Sequence, residues 1–190
     1  MSITTVGIIG AGTMGNGIAQ ACAVSGIQVV MVDISDAAVA KGLATVAGSL
    51  ERLLKKEKIS AADKDAALAR IKGSTSYDDL KGAGLVIEAA TENHELKVRI
   101  LKQIDAIVVP EVIIASNTSS ISITKLASVT SRPDRFIGMH FFNPVPMMAL
   151  VEIIRGLQTS DATHAAVEAM AKALGKTPIT VKHPPGFVVN

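Results

Sequence analysis

The chain has 190 residues, 48% of them hydrophobic and 19% charged, enough to bury a sizeable core and too apolar for a disordered segment. Nineteen Lys and Arg against seventeen Asp and Glu leave a net charge of +2, which excludes binding to nucleic acid or a membrane surface by bulk charge. The single cysteine, Cys22, excludes an internal disulfide and a thiolate metal cluster, and neither a membrane-spanning run nor a signal or transit peptide is visible, so a cytoplasmic globular protein without a metal site is expected.

Short aliphatic runs alternate with longer helical stretches, the pattern of βα units on a parallel sheet covered on both faces. Residues 6–9 form the first predicted strand, followed by a Gly- and Ala-rich helix over 13–25 and a strand over 27–32 that ends at Asp33. A helix over 36–58 is acidic at its start and basic at its end, in the sense that complements the helix dipole. Ser60 then caps a second helix to residue 70, and the two make a hairpin larger than a minimal crossover requires. Strands at 85–89 and 112–116 flank a helix over 94–107, and one of the residues 116–120 is expected to cap a helix over 121–129. Strands at 136–140 and 150–154 are joined through a proline-bracketed loop. A helix over 160–174, closed by Gly175, leads to a strand at 179–182.

Gly10-Ala11-Gly12-Thr13-Met14-Gly15 fits GxGxxG, a weak pattern by itself, but here it follows a strand and opens a helix. Gly10 permits the tight turn, Gly12 lets backbone approach a pyrophosphate, and Gly15 lets helix and strand pack closely. The phosphates are expected on the N–H groups that open the helix at Thr13 and Met14. Asp33 stands where a carboxylate accepts from adenosine ribose hydroxyls and repels a 2′-phosphate, so the expected cofactor is NAD. The fold class is therefore α/β: a Rossmann-type doubly wound sheet with a helical-hairpin insertion and a C-terminal strand–helix–strand extension. Cys22, on the glycine-rich helix, reads as a small core residue.

His140 ends one predicted strand and Glu152 lies inside the next, both equidistant from Pro146 in the loop between them. If the strands fold back antiparallel, the two become cross-strand neighbours. Glu152 sits between Leu150-Val151 and Ile153-Ile154, where a lone carboxylate is costly; a partner imidazole relieves that cost and is itself prepared as a general base. A satisfied core histidine beside an edge-strand glutamate accounts for the pattern equally well. His94, His164 and His183 have no comparable acid in the pattern. Ser116-Asn117-Thr118-Ser119-Ser120 and Ala90-Thr91-Glu92-Asn93 both leave the carboxyl ends of predicted strands, the side on which open α/β sheets gather ligands.

Taken together, 6–15, Ala90-Thr91-Glu92-Asn93, Ser116-Asn117-Thr118-Ser119-Ser120, Met139-His140-Phe141-Phe142-Asn143-Pro144 and Pro185-Gly186-Phe187-Val188-Val189-Asn190 resemble the L-3-hydroxyacyl-CoA dehydrogenase family, most closely its short bacterial form. The resemblance implies NAD-dependent oxidation of a 3-hydroxyacyl-CoA to the 3-ketoacyl-CoA. It makes His140 the proton acceptor, Glu152 its support, Ser119 a hydrogen-bond partner of the reacting oxygen that also touches the nicotinamide, and Asn190 a residue that positions substrate. It implies cofactor contacts at Asp33, Glu92, Lys97 and Asn143, and CoA contacts at Ser49 and Lys56. Those last two are seven residues apart, hence on one helix face, although a solvated basic helix end explains them too. By the same resemblance, 1–183 is the NAD-binding domain and 184–190 starts a linker to a helical domain that closes over substrate and makes most of a homodimer contact. Ala149 and His183 depart from the family pattern. The competing readings are a non-catalytic NAD-binding module and a β-hydroxyacid dehydrogenase that relies on a catalytic lysine.

Overall fold

The computed structural model describes residues 2–182, so the expectations placed on 183–190, Asn190 and the linker included, lie outside the described residues. The chain runs β1 (Thr5–Ile9), α1 (Thr13–Val24), β2 (Gln28–Val32), α2 (Asp36–Lys55), α3 (Ala61–Ala69), β3 (Ile71–Ser74), β4 (Leu85–Glu88), α4 (His94–Ile107), β5 (Ile113–Ser116), α5 (Ile123–Ser128), β6 (Phe136–Phe141), β7 (Leu150–Arg155), α6 (Asp161–Ala173) and β8 (Thr177–Lys182). The strands form one sheet in the order β3-β2-β1-β4-β5-β6-β7-β8. Every neighbouring pair is parallel except β6 and β7, which run antiparallel. The chain winds outward from β1 to β3, returns to β4 on the other side of β1, and winds outward again. The crevice at the carboxyl ends of β1 and β4 is therefore the switch point of the sheet.

Alternating side chains divide the core between the two faces. Ile8, Met31, Ile87 and Ala115 pack beneath α1, α2, α3 and α6. Ile9, Val32, Val86 and Ile114 meet Leu101 and Ile104 of α4 and Leu126 of α5 on the other face. Strands covered twice need the unbroken aliphatic runs that the sequence supplies. Among the described residues no helix is long and apolar enough to cross a membrane.

Three local departures have physical causes. Ile71–Ser74 is a strand that no apolar periodicity marks, because only Ile71 there is apolar and buried. Parallel pairing with β2, from Val29↔Ile71 to Val32↔Ser74, makes it a strand, and Gly73 leaves room for Val39 of α2. The helical hairpin thus lies within the β2-to-β3 crossover. The first helix of that hairpin stops at Lys55 instead of residue 58: Glu57 takes a left-handed φ of 55°, and the N–H groups of Glu57 and Lys58 turn back to the carbonyls of Leu54 and Leu53. Ser60 and Asp63 then form a reciprocal capping box on α3. Third, α5 begins two residues late and is capped by Ser122, not by any of 116–120.

One buried cation braces the frame. Arg132 spends all five N–H donors: Nε on Asp105 Oδ1 at 2.8 Å, and the terminal nitrogens on the carbonyls of Asp105, Val108, Val109 and Val112. It thereby closes the C-terminal end of α4 against the start of β5.

Candidate active site

The glycine-rich turn is built by exclusion. A Cβ on Gly15 would lie 1.9 Å from the carbonyl oxygen of Gly10, and Gly10 itself has φ of +107° with Ala89 O 2.6 Å from where its Cβ would be. A Cβ on Gly12 would meet nothing within 4 Å, so space stands open above its backbone. The first intrahelical bond of α1 is Asn16 N–H to Gly12 O at 2.9 Å, leaving the N–H groups of Thr13, Met14 and Gly15 ahead of the helix ladder. Asp33 Oδ2 accepts from Ala11 N–H at 2.8 Å and Oδ1 from Ile34 N–H at 2.6 Å, which keeps its carboxylate beside the turn with lone pairs to spare. The open backbone, exposed N–H groups and adjacent carboxylate suit a dinucleotide diphosphate and ribose.

The turn forms one wall of a cleft of about 360 Å³ that Glu92, Lys97 and Asn117 also line. A second hollow of about 250 Å³ shares Gly10, Asp33 and Ala90 with it and is walled by Ile34, Thr75, Tyr77 and Ile100. Burial, with Asp33 and Glu88 nearby, pushes the Tyr77 hydroxyl's pKa up.

Glu92 gathers the loop after β5. Its carboxylate accepts from the Thr118 and Ser120 hydroxyls, each at 2.9 Å, and from Ser119 N–H at 3.3 Å. Thr118 Oγ1 in turn accepts from Ile121 N–H at 3.1 Å, the local turn that displaces helix capping to Ser122. Asn117 Oδ1 accepts from Phe141 N–H at 2.8 Å, tying the same loop to β6 one residue past His140.

His140 and Glu152 are directly opposite in the antiparallel β6–β7 register, as their symmetry about Pro146 requires. His140 Nδ1 lies 3.1 Å from Glu152 Oε1. A carboxylate only accepts, so Nδ1 carries the proton and Nε2 is the basic nitrogen. Glu152 is not on an edge strand: β7 lies between β6 and β8, and the side chain is 2% exposed. Its Oε2 has no hydrogen-bond partner among the described residues, a buried half-charge whose cost falls when the imidazole is cationic. The Phe142 ring stands 4.6 Å from that of His140.

Sequence reasoning missed two polar devices. Glu88, fully buried, pairs with Lys97 and accepts from Ser116. Lys176 donates to the carbonyls of Val145 and Met148 at 2.6 and 2.7 Å, pinning the loop between β6 and β7, and burial draws its ammonium pKa down. A glutamate inside an aliphatic strand was the available signal for the first; nothing local marked the second. Other expected residues stand apart from the hydrogen-bonded cluster. Asn143 is exposed at the cis Asn143–Pro144 bond, Ser49 is half-buried on α2, and Lys56 is exposed at its C-cap. His164 does have an acid, Glu168 at 3.5 Å one helical turn on, and its Nε2 lies 2.7 Å from Thr180 Oγ1. Burial pushes the Cys22 thiol up to about 12, as suits an inert core residue.

A family model described as 3-hydroxyacyl-CoA dehydrogenase, NAD binding domain, matches residues 5–184. The chain belongs to the 3-hydroxyacyl-CoA dehydrogenase family. It is 80% identical to the solved (S)-3-hydroxybutyryl-CoA dehydrogenase of Ralstonia eutropha, with a TM-score of 0.98 over 100% of this chain and 67% of that one. The 3-hydroxybutyryl-CoA dehydrogenase of Bradyrhizobium diazoefficiens is 48% identical over 99% of this chain and 64% of its own length. The fatty acid oxidation complex subunit alpha of Acinetobacter baylyi is 46% identical over 99% of this chain but 26% of its own length. The chain thus spans about two thirds of the short curated relatives and a quarter of the long ones, and what it spans is the family's NAD-binding domain.

Proposed function

We propose that this chain is the cofactor-binding and proton-transferring part of an NAD-dependent dehydrogenase that interconverts (S)-3-hydroxyacyl-CoA and 3-ketoacyl-CoA, with 3-hydroxybutyryl-CoA as its substrate class. The observation that carries this reading is the in-register His140–Glu152 pair, one hydrogen bond removed from the cleft that Asn117 lines.

NAD, when bound, supplies the acceptor for the hydride that leaves C3. The N–H groups that open α1 at Thr13, Met14 and Gly15 would hold its diphosphate in the space that Gly12 leaves open, with Gly10, whose own N–H is donated to Val32 O, shaping the turn. Asp33 would take the adenosine ribose hydroxyls, and Glu92, Lys97 and Asn143 would contact the rest of it. His140 Nε2 accepts the 3-hydroxyl proton while the O–H electron pair becomes the second C–O bond of the ketone. Glu152 fixes the ring and stabilises the imidazolium, and the Ser119 hydroxyl hydrogen-bonds the reacting oxygen. Ser49 and Lys56 bind CoA, and Asn190 positions the acyl group. Residues 1–183 form the domain, and 184–190 open a linker to a helical domain through which the whole protein dimerises. Without that domain the substrate is held loosely, and the chain binds NAD but turns over slowly, because reaction geometry lost by about 1 Å costs about a hundredfold in rate.

The test is a calorimetric NADH titration beside NADH oxidation by acetoacetyl-CoA, for the unaltered chain, His140→Gln and Glu152→Gln. All three are expected to bind NADH with similar affinity. The unaltered chain should turn over about a hundredfold more slowly than an intact family member, and both variants should lose about a further hundredfold or fall to background. Undiminished turnover in His140→Gln would overturn the proton-transfer assignment, and a rate equal to the intact enzyme's would overturn the need for a further domain.

A further inference from the structure

The carboxyl ends of β4 and β5 hide a charge pair directly beneath the cleft. Glu88 is 0% and Lys97 1% exposed, and the ammonium touches Glu88 Oε1. The Ser116 hydroxyl donates to the same oxygen at 2.8 Å, and Ala90 N–H donates to Oε2 at 2.9 Å. One carboxylate therefore joins β4, the loop that follows it, α4 and β5. A buried ion pair is a poor device for stability alone, since apolar residues of similar size usually serve as well. Its placement deepens the contrast. Lys97 is the fourth residue of α4, near the helix end where the macrodipole disfavours a cation. The ammonium has three donors, and Glu88 is the one acceptor it meets among the described residues. Lys97 nevertheless lines the cleft beside Gly12 and Asp33.

We infer that Glu88 is a positioning residue for the cofactor site: it holds the Lys97 ammonium aimed so that the remaining N–H donors face a ribose or diphosphate oxygen in the cleft. This rests on reading the cleft as the NAD site. Glu88 itself touches no ligand and acts through Lys97, while its bond to Ala90 N–H steadies the loop that packs on Gly10.

A double-mutant cycle on the 190-residue chain tests it, with NADH as the probe and thermal melting in parallel. Glu88→Gln and Lys97→Met each strand a buried charge and should lower the melting midpoint; the double variant removes both charges and should regain most of it. NADH affinity, measured well below every midpoint, should fall about tenfold to a hundredfold in each single variant, the worth of one charge-assisted hydrogen bond. In the double variant it should stay at the Lys97→Met level, because Glu88 has no path to the nucleotide without the lysine. Wild-type affinity in Glu88→Gln, or recovery of affinity together with stability in the double variant, would overturn the inference and leave the pair purely structural. Failure of the unaltered chain to bind NADH would instead overturn the cofactor reading on which it stands.

Discussion

Three alanine substitutions in one turn should separate folding from cofactor binding. At Gly15 the new Cβ would lie 1.9 Å from Gly10 O. Relief to an ordinary contact of about 3.2 Å requires α1 to withdraw by about 1.3 Å, and a gap of that size forfeits much of the dispersion energy across it. That helix buries Ile18, Ala19, Cys22 and Ala23 completely, so the withdrawal is felt in the core. Overpacking of this kind costs about 3 kcal/mol, or about 6–12 °C in melting midpoint for a domain of this size. Gly10→Ala adds left-handed strain to a 2.6 Å contact with Ala89 O and should cost a similar amount. Gly12 differs. Its φ of −71° and ψ of −168° suit any residue, and nothing lies within 4 Å of its Cβ position. The weaker N-cap and the stiffer unfolded chain offset each other to within about 1 kcal/mol. Yet the methyl would stand where a diphosphate must approach, so NADH affinity should fall by about tenfold to a hundredfold, ~1.4–2.8 kcal/mol. Melting by circular dichroism and calorimetric NADH titration read the two effects separately. Gly12→Ala binding NADH like the unaltered chain would refute the assignment of the turn to the diphosphate; Gly15→Ala melting like it would refute the packing argument.

Arg132→Met should cost about 4–5 kcal/mol in chemical denaturation, since it strips donors from four carbonyls and leaves Asp105 uncompensated, and Arg132→Lys, with three donors for five acceptors, about 2–4. The same site sets part of the acid limb. Burial pushes the Asp105 carboxyl up, but hydrogen bonds from Ser131 N–H, Arg132 and the Ser131 hydroxyl outweigh it and hold the group below its ordinary range. Its contribution is therefore full above about pH 4 and lost as pH falls further, so Asp105→Asn should flatten the stability profile below that point, and an unchanged profile would count against the assignment. Cys22 should resist thiol reagents in the native state at pH 8 and react at the rate of global unfolding; labelling within seconds would show that α1 opens independently.

Much of the site was legible because it depends on local chemistry. A strand, a Gly10–Gly15 turn and an acid at the end of the next strand are contiguous constraints, and Gly10 and Gly15 answer to backbone within a few residues or one strand away. The His140–Glu152 pair was legible for a different reason: antiparallel register carries an arithmetic symmetry, and a carboxylate inside an aliphatic run demands a partner. The Ile71–Ser74 strand carried no such mark, because an edge strand with one buried side chain is made by its neighbour's hydrogen bonds.

The amino-acid order by itself determined the alternation of strands and helices, the glycine-rich turn and the cross-strand pairing of His140 and Glu152, since periodicity and short-range geometry suffice for these. Only the tertiary structure decided how the loops after β4 and β5 meet through Glu92, why Glu88 and Lys97 can share a dry site, and how Arg132 and Lys176 hold distant carbonyls. Those groups are separated along the chain by between nine and thirty-one residues. What joins them is the stacking of strands in one sheet, which sets the carboxyl ends of β4 and β5 side by side, and likewise the amino ends of β5 and β6 and of β7 and β8, whatever lies between them in sequence.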